Sequence, residues 1–190
     1  FTTPRHIIQA AKNALDQGLT HYTDNAGILP LRKAIANYLK RQDGITYDPV
    51  GEIMVSTGAM EIIYLCFSAL LDPGDEVLIT DPCYANYYGQ ISMNNGVPVP
   101  VPVYEDNGFH FTYESLKAHI TPKTKAILLN SPCNPTGGVA DLATMESIAR
   151  IAKEYDLYVV YDAVYRHFTY EGSRFYNLAA LTGMRERTLY

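Results

Sequence analysis

An aspartate and a tyrosine at the end of an apolar run are the first residues of this sequence that could do chemistry. Asp162 directly follows the run from Leu157 to Tyr161, and Tyr165 comes three residues later. A carboxylate at the end of a buried strand is unfavourable unless it meets a cation. We therefore expect Asp162 to bind a cationic group, with Tyr165 close enough to serve the same pocket. A helix cap is the competing interpretation of Asp162.

A segment of nine residues, Asn130 to Gly138, follows another apolar run and contains two prolines and two glycines. Such a composition imposes an unusual backbone path, which often serves a functional site, although a purely structural turn is the alternative. Because the cis form is comparatively accessible before proline, we predict a cis peptide bond between Asn134 and Pro135.

The segment from Ser56 to Met60 predicts a phosphate site. Gly58 allows the backbone to approach a ligand closely, and the free N–H groups at the start of a helix attract phosphate. An ordinary turn between a strand and a helix is the alternative.

Tyr84, within the segment Asp81 to Tyr87, follows a third apolar run and could lie flat against a planar heterocycle. Since the chain has 16 tyrosines, core or surface packing is a strong alternative for any one of them.

Short apolar runs alternate with helical patterns from about residue 52 onward, which predicts an α/β fold with a mostly parallel sheet. Strands that are apolar throughout are typical of a sheet covered on both faces, and ligands then bind at the carboxyl ends of the strands. Strands are predicted at 53–55, 77–79, 97–103, 126–129 and 157–161, with another beginning at 188–190. Helices are predicted at 4–18, 29–41, 59–71, 114–119 and 141–155, and a further, tyrosine-rich helical stretch is predicted to end at about Met93.

The overall composition narrows the class of protein. The formal charge of −5 and the pI near 5.5 argue against nucleic acid or an anionic membrane as a main partner. No apolar run is long enough to span a membrane, and the first residues lack a signal-peptide pattern. The three cysteines lack zinc-type spacing and the five histidines form no ligand cluster, so we predict no metal and a cytoplasmic location.

Together these segments resemble the class I/II (fold type I) aminotransferases that depend on pyridoxal 5'-phosphate (PLP). The likeness runs from Tyr22 to Tyr165, and its specific part is the Asn-Pro-Thr-Gly signature followed by an Asp-x-x-Tyr pair, with Asn134 and Asp162 28 residues apart. The resemblance implies an incomplete large domain, with a mostly parallel seven-stranded-type sheet between helices, at residues 46–190. Residues 1–45 would form an N-terminal helical segment of the arm, small domain and interface.

The resemblance also implies roles for individual residues. Asp162 would bind the protonated ring nitrogen of PLP and keep the ring a good electron sink. Asn134 and Tyr165 would hydrogen-bond the 3-oxygen of the ring, and Tyr84 would stack on its face. The phosphate would bind the turn of Gly58, Ala59 and Met60, although the Met60 side chain cannot donate a hydrogen bond.

A homodimer is implied as well, because Tyr22 matches a tyrosine that reaches the phosphate of the neighbouring subunit. The family's Schiff-base lysine would lie beyond Tyr190, since none of the seven lysines has the expected setting. The chain is therefore expected to be an N-terminal fragment that contains no catalytic residue and is inactive alone.

The function implied for the parent protein is the transfer of an amino group between an amino acid and a 2-oxo acid in amino acid metabolism and biosynthesis. A carbon–sulfur lyase or synthase on the same fold is the first alternative, and a non-catalytic PLP-binding regulatory domain is the second. A nucleotide-binding domain is disfavoured, because neither a Gly-x-Gly-x-x-Gly nor a Walker-type loop is present. The residues leave the identity of the amino acid and of the oxo acid open.

Overall fold

The computed structural model describes residues 1–190 and contains one five-stranded sheet in which every neighbouring pair is parallel. The strands are β1 (Glu76–Asp81), β2 (Val97–Pro102), β3 (Thr124–Asn130), β4 (Tyr158–Asp162) and β5 (Thr188–Leu189). Their order in the sheet is β2-β1-β3-β4-β5, so β1, β3 and β4 lie side by side in its middle. The predicted α/β fold with a mostly parallel sheet is confirmed, and so is the short strand that was predicted from residue 188.

Six helices accompany the sheet: α1 (Arg5–Asp16), α2 (Leu29–Asp43), α3 (Ala59–Leu70), α4 (Asn86–Met93), α5 (Tyr113–His119) and α6 (Leu142–Glu154). Short 3-10 turns lie at Glu105–Asn107, Leu178–Ala180 and Arg185–Arg187. The helices are all too short or too polar to span a lipid bilayer.

Both faces of the sheet are covered, which explains why its central strands are apolar at every position. On one face, Val77 and Ile79 of β1 belong to a buried cluster with residues of α3 and α4. Leu78 points the other way and belongs to a larger cluster with residues of α5 and α6. Alternate residues of a strand face opposite sides, so a strand between two helical layers must be apolar throughout.

The strand predicted at residues 53–55 is wrong, because these residues pair with no strand of the sheet. The N–H of Val55 instead donates to the main-chain oxygen of Ala26 at 3.0 Å. Ile53 and Met54 line an apolar cavity of about 920 Å³ together with residues of α2, α3, β4 and β5. An apolar run indicates a nonpolar environment. For Ile53 and Met54 this environment is the wall of the cavity, and no neighbouring strand is hydrogen-bonded to them.

The first helix has no buried residue, although its sequence is amphipathic. Ile7, Ile8 and Leu15 are all exposed. The second helix, in contrast, buries Arg32 and Leu39. The division of the chain near residue 45 stays a prediction.

Candidate cofactor site at the carboxyl edge of the sheet

The candidate segments meet because three neighbouring strands end at the same edge of the sheet. Asn130 and Asp162 are paired in register at the ends of β3 and β4. The segment that carries Tyr84 follows β1, which is the other neighbour of β3. A parallel arrangement therefore brings side chains together that are far apart in the sequence.

The Asp162 side chain is partly buried and has no cation beside it. Its Oδ2 accepts a hydrogen bond of 2.8 Å from the Tyr87 hydroxyl, and its Oδ1 accepts one of 3.2 Å from the N–H of Val164. No arginine, lysine or histidine forms an ion pair with it. The helix-cap interpretation is wrong, because only turns follow β4 before residue 178. The carboxylate is thus available to a cationic ligand.

Asn130 joins the two segments of the family signature. Its Nδ2 donates to the main-chain oxygen of Asp162 at 2.9 Å, and its Oδ1 accepts from the N–H of Asn134 at 2.8 Å. With only 7% of its surface exposed, Asn130 would leave buried polar groups unpaired if it were replaced. It therefore fixes the position of Asn134 relative to Asp162.

The loop after Asn134 closes on itself, and each of its two glycines is favoured for a different reason. The predicted cis bond between Asn134 and Pro135 is confirmed. The N–H of Cys133 donates to the Gly138 oxygen at 2.9 Å, and the N–H of Gly137 donates to the Cys133 oxygen at 2.8 Å. Gly137 has a φ of 75°, whereas a Cβ on Gly138 would lie 2.6 Å from the main-chain oxygen of Gly108. Gly137 is thus favoured by its backbone conformation, and Gly138 is favoured because a side chain would not fit.

Tyr84 is partly buried and is held at its ring and at its hydroxyl. Its ring packs edge-on against the ring of Tyr87, with 5.5 Å between centroids and 81° between planes. Its hydroxyl accepts a hydrogen bond of 2.9 Å from the Nδ2 of Asn86. The aromatic ring that was predicted to stack on a heterocycle therefore has a defined orientation.

The start of α3 offers unpaired N–H groups. Gly58 precedes the helix with a φ of 86°, and a Cβ there would meet nothing within 4 Å, so backbone conformation and not space is what favours glycine. The N–H groups of Ala59 and Met60 have no acceptor. Ala59 and Asp162 line the same 920 Å³ cavity, so the helix start and the carboxylate open onto one space.

Tyr165 and Tyr22 lie apart from these contacts. Tyr165 is 37% exposed and packs edge-on against Phe168 at 6.2 Å. Tyr22 is fully exposed and forms no hydrogen bond, although its loop is anchored by an ion pair of 3.0 Å between Asp24 and the buried Arg32. Neither tyrosine forms a hydrogen bond with Asp162.

Tyr87 and Asn130 are functional candidates that the sequence reasoning did not assign. Both lie in the candidate segments, Tyr87 three residues after Tyr84 and Asn130 at the first position of the Pro- and Gly-rich segment. A polar residue as the last member of an otherwise apolar strand was the available signal for Asn130. Tyr87 carried no comparable signal, because its contact with Asp162 spans 75 residues.

Nucleophilic chemistry by the Cys83 thiol is disfavoured. Burial, with the neighbouring Cys133 and Asp81, raises the pKa of the Cys83 thiol to about 11, so the thiol is neutral at physiological pH. No group of three or more His, Cys, Asp or Glu side chains is placed to hold a metal ion.

The chain matches the family model for aminotransferase class I and II over residues 1–189. It is 48% identical to aspartate aminotransferase of Pyrococcus abyssi and 43% identical to aromatic-amino-acid aminotransferase 2 of Thermococcus litoralis, in each case over 100% of this chain and 49% of the relative. The crystal structure of aromatic aminotransferase from Pyrococcus horikoshii OT3 superposes with a TM-score of 0.97 at 48% identity, covering 99% of this chain and 50% of that chain.

The fold and the site therefore define a chain of the aminotransferase type. It belongs to the aminotransferase class I and II family, and it spans about half the length of the curated relatives it matches.

Proposed function

We propose that the whole protein is a PLP-dependent aminotransferase, which transfers an amino group between an amino acid and a 2-oxo acid, and that this chain provides most of the cofactor site. The observation that carries the proposal is the Asp162 carboxylate, which is partly buried, held by two hydrogen bonds and left without a cation. A protonated pyridine ring supplies the missing charge. PLP is the cofactor that the family implies.

The residues of the site fit PLP in three respects. Asp162 matches the cationic ring, Tyr84 offers an oriented aromatic face, and the unpaired N–H groups at the start of α3 suit a phosphate. We propose that Asp162, Asn134 and Tyr165 hold the ring while Tyr84 stacks on it. The phosphate would be bound by Gly58, Ala59 and Met60.

PLP, when bound, supplies an electron sink for negative charge that develops at the Cα of an amino acid. The part of Asp162 is to keep the proton on the ring nitrogen, since a fixed anion favours the charged form of its neighbour. Asn134 donates through its side-chain amide and so orients the ring, while Asn130 keeps the distance between the two loops constant.

We further propose a homodimer in which Tyr22 contacts the cofactor phosphate of the partner subunit. Its support is the exposure of Tyr22 on an anchored loop, together with the uncovered apolar side chains of α1. Aspartate and aromatic amino acids, the substrates in the names of the relatives, are the proposed amino donors. All three cysteines are free, which suits a reducing cytoplasm.

The test is an aminotransferase assay of the whole protein with aspartate, tyrosine or phenylalanine as donor and 2-oxoglutarate as acceptor. We expect one PLP per subunit by absorbance and amino transfer with at least one donor. Asp162→Ala should reduce kcat by about a hundredfold or more, because losing about 3 kcal/mol of differential interaction with the ring corresponds to two powers of ten.

Asp156→Ala is the matched control, since Asp156 is an exposed carboxylate on the turn before β4. It should leave kcat unchanged. Elimination of a substituent from a sulfur amino acid, with no amino transfer, would replace the proposal by a lyase. Absence of PLP from the wild-type protein would refute it.

A further inference from the structure

Tyr87 contacts two of the residues that we propose to hold the cofactor. Its hydroxyl donates a hydrogen bond of 2.8 Å to Oδ2 of Asp162, and its ring packs edge-on against the ring of Tyr84. Tyr87 therefore connects the carboxylate proposed for the ring nitrogen with the aromatic proposed for the ring face.

The position of Tyr87 is itself tightly determined. It lies on α4 with 2% of its surface exposed, inside the buried cluster that includes Ile63, Phe67 and Ile91. Burial, reinforced by the negative charge of Asp162, raises the pKa of the Tyr87 hydroxyl. The hydroxyl consequently stays protonated and acts as a donor to the carboxylate.

Besides Tyr87, other groups hydrogen-bond Asp162 at its main-chain oxygen and at its carboxylate. The main-chain oxygen is bound by Asn130, and Oδ1 is bound by the N–H of Val164. Tyr87 is the only side chain that hydrogen-bonds the carboxylate. Without it, rotation of the Asp162 carboxylate is restrained by a single main-chain contact.

We propose that Tyr87 is a positioning residue, which orients the Asp162 carboxylate toward the ring nitrogen of PLP and supports the ring of Tyr84. This inference rests on the proposed function. Loss of the hydroxyl weakens the interaction of Asp162 with the ring nitrogen and leaves the contacts with the phosphate and the 3-oxygen unchanged. A general packing role would instead affect all cofactor contacts alike.

The experiment measures the dissociation constants of two probes from the whole protein. One probe is PLP, and the other is 1-deazapyridoxal 5'-phosphate, in which carbon replaces the ring nitrogen. Tyr87→Phe should weaken PLP binding about tenfold, the effect of losing one hydrogen bond to a charged group. It should weaken binding of the deaza probe less than about twofold.

Tyr113→Phe is the control, because the Tyr113 hydroxyl also donates a hydrogen bond of 2.8 Å to a carboxylate, that of Glu154. Tyr113 lies on α5 and Glu154 on α6, outside the proposed site. Its affinities for both probes should equal those of the wild type. As a second measurement, Tyr87→Phe added to Asp162→Asn should weaken PLP binding no further than Asp162→Asn alone.

Equal weakening of both probes by Tyr87→Phe, or no weakening of either, would overturn the inference. So would additive effects of the two substitutions. If Asp162→Asn lowers PLP affinity while Tyr87→Phe does not, the inference fails and the proposed function stands. If Asp162→Asn does not discriminate between the probes, the assignment of Asp162 fails, and the proposed function fails with it.

Discussion

The carboxyl edge of the sheet and the N-terminal region differ in how far the chain itself determines the positions of their side chains. At the carboxyl edge, Asp162 is held through Tyr87, Asn130 and Val164, and each contact is a hydrogen bond between 2.8 and 3.2 Å. In the N-terminal region, α1 has no buried residue and Tyr22 is fully exposed. The comparison shows that the chain itself fixes the Asp162 carboxylate, whereas it leaves the Tyr22 side chain without a hydrogen-bond partner.

A buried ion pair connects the two regions. Arg166, four residues after Asp162, donates two hydrogen bonds to Asp43 at the end of α2, at 2.8 and 3.1 Å. The Asp43 and Arg166 side chains are only 6% and 13% exposed. Asn177 donates a further bond of 2.8 Å to Asp43.

Breaking this ion pair should have the largest effect on stability. Asp43→Ala leaves the Arg166 guanidinium buried without a counter-charge, and we expect the free energy of unfolding to fall by about 3–5 kcal/mol. Urea denaturation of the protein measures this change in the free energy of unfolding. The control is Asp156→Asn, which removes the charge of the exposed partner of Arg187 and keeps a residue that tolerates the φ of 52° at this position, and it should cost less than about 1 kcal/mol. Equal effects of the two variants would contradict the distinction between the pairs.

Asn130→Ala should lower both the stability of the protein and its affinity for PLP. Two hydrogen bonds are lost, so we expect a decrease of about 2–3 kcal/mol in the free energy of unfolding together with weaker PLP binding. Asn94→Ala is matched to it, because the Asn94 side chain also makes two hydrogen bonds to the main chain, both donated by its Nδ2, but at the end of α4. That variant should lose stability and keep its PLP affinity. Equal PLP affinities for the two variants would argue against a role of Asn130 in the site.

His110, whose ring lies beside Gly138 in the loop after Asn134, should make folding sensitive to acid. Burial lowers the pKa of His110 below its ordinary value of 6.5, with Asp141 opposing the shift. Below pH 6.5 the unfolded chain therefore takes up a proton before the folded chain does, and stability falls as the pH decreases toward the lowered pKa. Thermal unfolding between pH 7.5 and 5 should show a decline that is shallower in His110→Asn. If stability declined equally steeply with pH in the wild type and in His110→Asn, groups other than His110 would cause the decline.

Tyr22→Ala should have the smallest effect on stability, within about 0.5 kcal/mol, because the side chain touches nothing in the chain. In the whole protein it should nevertheless weaken PLP binding, since the proposed contact is made across the dimer. Tyr170→Ala, at another exposed tyrosine, is the control and should change neither quantity. An unchanged affinity in Tyr22→Ala would remove the support for a shared site.

Much of the fold was predictable because the signals are local. Apolar runs between turns identified the strands β1 to β4, and the Pro- and Gly-rich composition identified the loop after β3. The cis bond before Pro135 was predictable for the same reason, since proline restricts the backbone of its own dipeptide. The roles of Asp162, Asn134, Tyr84, Tyr165 and the turn at Gly58 came from resemblance to a family and stay predictions.

What the sequence by itself determined is thus the class of fold and the carboxyl edge of the sheet, at which Asp162, Asn134 and Tyr84 lie. The tertiary structure alone decided that residues 53–55 pair with no strand, that Tyr87 reaches Asp162 and that Asn130 ties Asp162 to Asn134. The physical reason is the sequence distance over which each effect acts. Periodicity and backbone restriction act over a few residues, whereas strand order and helix packing choose hydrogen-bond partners from the whole chain.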